Sequence, residues 1–279
     1  MSVAAHLLAP GRTRVVGVLN VTPDSFSDGG RYVDADADAA VAHGLELAAE
    51  GAAVVDVGGE STRPGADRVS ARDERARVLP VVAALAAAGV AVSVDTMRAE
   101  VAVEAVEAGA VMINDVSGGL ADPAMLGAMA GRDVVYVAMH WRGHSDRMQQ
   151  RATYDDVVGE VAGDLGRRAE RALAAGIRSD RLVLDPGIGF GKTADHNWQL
   201  LRAVEQFQSL GFPVLWGVSR KGFLAPVGPG RPRTPRERDV ATVALTSLLA
   251  ARGVWGVRVH AVADNAVAVA AATAMGGTE

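Results

Sequence analysis

Short, continuously apolar runs rich in β-branched residues recur along the whole chain, at 15–19, 53–57, 91–94, 111–113, 134–138, 182–184, 214–216 and 256–259. Runs of this length and character suit strands buried on both faces. Between them lie Ala-rich helical stretches at 36–50, 72–88, 98–108, 122–130, 154–175, 196–210, 234–251 and 261–275. Gly51, Gly89, Gly109 and Gly176 each follow a helix and precede a strand, where a glycine supplies a left-handed cap. Strict alternation of eight strands and eight helices forces right-handed crossovers and parallel strands. The pattern therefore predicts an α/β fold, a single TIM (β/α)8 barrel over residues 1–279, for which about 250 residues is typical. The apolar stretch 78–94 is divided by Pro80 and Gly89, so it reads as a helix and a strand rather than a membrane span.

Composition narrows the function classes. The chain of 279 residues is 49% hydrophobic and 22% charged, too apolar for disorder. A formal charge of -5 argues against a nucleic-acid partner. The absence of cysteine removes disulfides, thiolate metal sites and cysteine nucleophiles, and suits a reducing cytoplasm. The N-terminal residues lack the basic start and apolar stretch of a signal peptide. The six histidines show no metal-ligand spacing.

In a barrel of this kind the chemistry gathers at the C-terminal strand ends. The polar residues that follow the apolar runs are Asn20, Glu60 to Arg63, Asp95, Asn114, His140, Asp185, Ser219 to Lys221, and Arg258 with His260. Any single Asp or Asn could be a helix N-cap. Arg63, Lys221, Arg258 and His260 are not capping types. Arg258 and His260 lie two apart in a strand and share one face. With Arg63 in its Gly- and Pro-rich loop they suit an anion such as diphosphate. Asp95, Asn114, Asp185 and Lys221 suit a flat heterocycle with adjacent N–H groups, since carboxylates accept and an amide both donates and accepts. A plain Lys221–Asp185 salt bridge is the structural alternative. Met139 and Phe190 suit pocket walls rather than catalytic groups, and Phe190 equally suits ordinary packing. The segment 185–192 (DPGIGFGK) lacks the ending and spacing of a phosphate-binding loop.

Four segments carry a family resemblance: GVLNVTPDSFSDGG at 17–30, DVGGESTRPGA at 56–66, DPGIGFGK at 185–192, and Ser219-Arg220-Lys221 together with Arg258-Val259-His260. Asp95-Thr96 and INDVSG at 113–118 agree. The chain resembles the dihydropteroate synthases over about residues 15–275. The resemblance implies condensation of 6-hydroxymethyl-7,8-dihydropterin diphosphate with p-aminobenzoate in folate biosynthesis, with SN1-like loss of diphosphate. It implies that Asp95, Asn114, Asp185 and Lys221 hold the pterin, with Thr62, Met139 and Phe190 beside it. Asn20, Arg63, Arg258 and His260 would hold the diphosphate, Asn20 being the protein ligand of Mg2+. Ser219, Pro64, Phe190, Lys221 and Phe26 would border p-aminobenzoate, and the first loop, with Phe26 and Asp28, would close over the substrates. Catalysis would rest on Arg63, Arg258, His260, Lys221, Asp95 and Asp185. A cytoplasmic homodimer inhibited by sulfonamides, without nucleic-acid or membrane partners, is also implied.

Two places depart from the family pattern: the connection over 222–239, rich in proline and arginine and with Arg238-Asp239 in place of a glycine-containing run, and the loop after His140, with Trp141-Arg142-Gly143. Two other readings compete. A methyltetrahydrofolate methyltransferase would share the acids but not need the cations Arg63, Arg258 and His260. A non-catalytic or repurposed pterin-binding paralogue would bind without turnover.

Overall fold

The computed structural model describes residues 2–21, 33–60, 69–143, 151–230 and 233–276. Eight parallel strands lie side by side in the order β6-β5-β4-β3-β2-β1-β8-β7. They are β1 (Arg14–Asn20), β2 (Val54–Gly58), β3 (Val92–Asp95), β4 (Met112–Asp115), β5 (Val135–Met139), β6 (Leu182–Asp185), β7 (Leu215–Trp216) and β8 (Gly256–Val259). A parallel bridge between Leu184 and Val214 links β6 toward β7 and brings the sheet round into a barrel. The expected (β/α)8 architecture is therefore the observed one.

Around the strands run α2 (Val33–Ala49), α3 (Ala71–Ala87), α4 (Ala99–Glu107), α5 (Met125–Met129), α6 (Val157–Ala174), α7 (Ala194–Arg202), α8 (Val204–Gln208), α9 (Asp239–Ala251) and α10 (Val262–Gly276), after an N-terminal α1 (Val3–Leu8). The four predicted cap glycines have φ between 81° and 109°. Side-chain caps start several helices: Ser70 accepts from the Asp73 N–H, Asp156 from Val158 and Gly159, and Thr193 and His196 form a capping box.

The structure differs from the sequence pattern in three places. The helix expected over 196–210 breaks into α7 and α8 at Ala203, which lies outside helical geometry. The helix expected over 234–251 opens as a 3-10 turn, Arg236–Arg238. The short α1 was not expected; it closes the floor of the barrel. There Ala4 and Leu7 pack with Val16, Val54, Met112, Val135, Val183 and Leu215, and the Trp255 Nε1–H donates to the Leu7 carbonyl.

Alternation along each strand decides what the barrel encloses. Val55, Val57, Ile113, Val257 and Val259 pack outward against the helices, while Val54, Met112 and Val183 point into the lower barrel. Two residues further along the same inward rows come Asp56, Asn114 and Asp185, and Arg258 lies between the outward Val257 and Val259. The interior is thus apolar at the floor and polar at the C-terminal mouth.

Candidate active site at the barrel mouth

Strand register sets the first row of the site. Asn20 is level with Gly58, Gly58 with Asp95, and Asp95 with Asn114, across four neighbouring strands. Met139 is level with Asp185 on β5 and β6. Gly58 is the gap in this row: a Cβ there would lie 3.7 Å from both Asn20 Oδ1 and Asp95 Cβ. Asn20 is half-buried, so its amide stays within reach of a ligand at the rim.

Polar bonds knit the row to β8. The Arg258 Nε–H donates to Asp56 Oδ2 at 2.6 Å, and Arg258 Nη2 donates to Asp95 Oδ2 at 3.0 Å. Asn114 Nδ2 donates to the same Asp56 oxygen at 3.0 Å. Asp56 is 0% exposed, so this is an ion pair withdrawn from water on the acid's side. Burial works against the charge of Arg258, but Asp56 and Asp95 outweigh it and hold its pKa above the ordinary value. Burial pushes the Asp95 carboxyl up to about 7, with Arg258 pulling back and Asp56 adding to the rise. Burial also raises Asp185, against the Gly187 N–H, which donates to its Oδ1 at 2.7 Å, and against Lys221.

The opposite wall comes from the loops after β6 and β7. Lys221 donates to the Ile188 carbonyl at 2.5 Å and sits 4.0 Å over the Phe190 ring. Desolvation lowers its pKa to about 7, with Asp185 opposing the fall. Its nearest bond is therefore to a backbone carbonyl, not the salt bridge to Asp185 that was the structural alternative. Ser219 Oγ lies 2.9 Å from His260 Nδ1 and accepts the His260 N–H at 3.2 Å.

Lys192, rejected above as a phosphate ligand, proves to be internal to its own loop. Its Nζ donates to the Gly187 and Phe190 carbonyls at 3.0 and 3.1 Å and lies 3.0 Å from His140 Nδ1. Burial lowers its pKa to about 7. Burial and Lys192 together lower His140 to about 4, so the imidazole is neutral and can accept from the lysine. Its Nε2 faces Asp164 at 3.2 Å. His140 is thus a hydrogen bonder at its strand end, tied to Lys192 and Asp164. Gly187, Gly189 and Gly191 all have positive φ between 55° and 80°, which lets the loop fold back over this lysine.

The turn that presents Lys221 is strained and clamped. Arg220 has φ 59°, an uncommon value for a residue with a side chain. Its guanidinium makes a two-pronged bond to Asp239, Nε to Oδ1 at 2.9 Å and Nη2 to Oδ2 at 2.7 Å, and Arg238 Nη1 donates to its carbonyl at 2.9 Å. Arg238-Asp239, the departure noted in the sequence, is therefore the brace of the Ser219–Lys221 turn.

Among the predicted residues, Asp95, Asn114, Met139, Asp185, Phe190, Ser219, Lys221, Arg258 and His260 line one cleft enclosing about 450 Å3 of space open to solvent. Asn20 stands beside it across Gly58. Phe26, Asp28, Thr62, Arg63 and Pro64 lie outside the described residues. The root of the second loop is described: Arg77 donates to the Gly59 carbonyl at 2.9 Å, and Arg98 bridges Glu60 and Glu74. Asp56 was missed as a site residue. Its signal was a lone carboxylate inside the otherwise apolar run 53–57, at an inward position of β2.

An acid-rich mouth with two cations on a closed parallel barrel places the chain in a class. A family model described as pterin binding enzyme matches residues 16–260. The dihydropteroate synthase of Mycobacterium leprae is 52% identical over 257 residues, 91% of this chain and 89% of that one. The solved Xanthomonas albilineans dihydropteroate synthase with 4-aminobenzoic acid superposes with a TM-score of 0.88 at 45% identity, covering 96% of this chain and 94% of that chain. The same organism's enzyme in complex with 7,8-dihydropteroate gives a TM-score of 0.83 at 40% identity, covering 96% and 94%. The chain belongs to the dihydropteroate synthase family.

Proposed function

We propose that the cleft binds 6-hydroxymethyl-7,8-dihydropterin diphosphate and that the protein joins it to p-aminobenzoate, forming 7,8-dihydropteroate for folate synthesis. The observation that carries this reading is the meeting of Asp95, Asn114, Asp185, Lys221 and Arg258 in one cleft. The acids and the amide accept from the N–H edge of the pterin, and Lys221 donates to a ring nitrogen or carbonyl. The C–O bond breaks early, its electron pair leaving with the diphosphate. The electron-rich dihydropterin carries the resulting methylene cation, and the carboxylates beneath it favour that charge. The arylamine nitrogen then forms the new C–N bond and gives up a proton. No side-chain nucleophile is required. Arg258 and His260, with Arg63, serve the departing anion, and preorganised donors of this kind are worth roughly 100- to 1,000-fold in rate. Ser219, Phe190 and Lys221 border p-aminobenzoate and Met139 forms a pterin wall; the family resemblance assigns Pro64 and Phe26 to p-aminobenzoate and Thr62 to the pterin.

Among the described residues no cluster of three or more His, Asp or Glu could hold a metal. The half-buried Asn20 amide oxygen is a hard donor at the rim, which fits Mg2+, an ion that keeps waters and takes substrate phosphate oxygens. Asn20 would hold the ion, and the ion would neutralise diphosphate charge. Inhibition by sulfonamides, a homodimer and a cytoplasmic location belong to the same reading. No described helix is long and apolar enough to cross a membrane.

The test is a coupled assay of diphosphate release with both substrates. Release that needs p-aminobenzoate supports the synthase; binding of the pterin without release would favour the non-catalytic reading.

A further inference from the structure

Asp56 has no part in the reaction as written above, yet it is the most enclosed acid of the site. One of its oxygens, Oδ2, accepts from both Arg258 Nε and Asn114 Nδ2. The other, Oδ1, has no hydrogen-bond partner among the described residues, and neither does Asn114 Oδ1. A buried acceptor left unmade is costly, so an orphan in a native site calls for an explanation.

The chemistry of the pair fixes the amide. A carboxylate only accepts, so the group facing Asp56 at 3.0 Å must be the Asn114 NH2; the flipped amide would set two oxygens against each other. One of the two Asn114 N–H donors is thereby spent within the protein, and the orientation of the amide is fixed. Asn114 lines the cleft, and its carbonyl oxygen, buried and without a partner among the described residues, is the acceptor it has left to offer. Asp95 and Asp185, which line the same cleft, are acceptors as well. An undirected amide could turn either end to a ligand; with its nitrogen held by Asp56, the carbonyl oxygen is the end left to meet a ligand N–H.

We infer that Asp56 is a positioning residue for ring recognition: it orients the Asn114 amide so that Oδ1 accepts an N–H of the bound pterin, and it holds the Arg258 guanidinium against the same rim. Asp56 touches neither substrate. The inference rests on the pterin reading and adds to it a residue that determines which heterocycle edge is accepted, namely one rich in N–H donors.

The test is calorimetric titration of 6-hydroxymethylpterin, which lacks the diphosphate, into wild type, Asp56→Leu, Asp56→Asn, Asn114→Ala and the Asp56→Leu/Asn114→Ala double variant. Asp56→Leu should weaken binding by about 10- to 100-fold, the scale of a lost charge-assisted bond. Asp56→Asn, which keeps one acceptor oxygen, should recover most of that loss. The double variant should lose clearly less than the product of the two single losses, because one change acts through the other. Losses that multiply, or wild-type affinity in Asp56→Leu, would overturn the inference. Should Asp56→Leu fail to fold, neutron diffraction from deuterated wild-type crystals with the pterin bound decides it: both amide deuterons of Asn114 on the nitrogen facing Asp56 support the assignment, and an amide nitrogen facing the ring removes it. If wild type itself binds no pterin, the functional reading fails; if wild type binds and the variants behave like it, only the role of Asp56 fails.

Discussion

Replacing Arg258 by Met removes a cation bonded to both Asp56 and Asp95 while keeping much of the side chain's volume. Both acids are buried, at 0% and 7% exposure, so the change strands negative charge in the barrel mouth. Breaking a buried pair by removing one partner costs about 3–5 kcal/mol. Part of that cost depends on pH, and the direction follows from Asp95. Its folded-state value, about 7, already lies above its ordinary 3.8 because of burial, and Arg258 holds it down. A group raised on folding stabilises the protein at low pH and loses that contribution as pH rises to its folded value. Without Arg258 the folded value climbs beyond 7, so the loss extends to higher pH in the variant than in wild type. Between pH 7 and 8 the gap should widen by up to about 1.4 kcal/mol, the equivalent of one pK unit. Below about pH 6, with Asp95 protonated in both proteins, this part of the difference vanishes. Urea unfolding of both proteins at pH 5.5 and pH 8 measures it. A difference in stability that is the same at both pH values, or no difference at all, would refute the reasoning.

Three further outcomes are expected. Asp185→Asn should weaken pterin binding by about 10- to 100-fold while changing p-aminobenzoate KM little, read from steady-state kinetics on each substrate. Asp239→Ala should release the brace on Arg220, lowering Tm by several degrees through a strain of about 1–2 kcal/mol, and Arg220→Gly in that background should restore part of it because glycine adopts the φ of 59° freely. Lys192→Met should lose stability against wild type increasingly as pH rises from 7.5 to 9: the buried amine falls from 10.5 to about 7 on folding, so wild type gains up to about 1.4 kcal/mol per pH unit across that window, and a constant gap in urea unfolding would contradict this.

Much of the fold could be read from the chain because parallel strands buried on both faces leave unbroken apolar runs, and because Gly51, Gly89, Gly109 and Gly176 mark the helix ends. The rim was legible for a related reason: a polar residue directly after an apolar run stands at the mouth of a barrel. The same rule hid Asp56. It sits inside its run, two positions before the strand ends, and only the inward row of β2 reveals that its neighbours are Asn114 and Arg258. The helix α1 was hidden by its brevity; six residues carry little periodicity, and its purpose as a floor appears only when the strands close around it. The Arg238-Asp239 departure likewise had no meaning along the chain, since its partner Arg220 lies across a long connection and is fixed by an unusual φ.

The central claim is that one mouth reads the pterin through Asp95, Asn114 and Asp185, with Lys221 and Arg258 beside it. A crystal structure of the protein with a non-hydrolysable dihydropterin diphosphate analogue tests it most directly. The account predicts the bicycle within hydrogen-bond distance of those three residues, with the diphosphate toward Arg258, His260 and Asn20. A bicycle bound elsewhere, or one in this cleft whose N–H edge faces away from Asp95, Asn114 and Asp185, would contradict it.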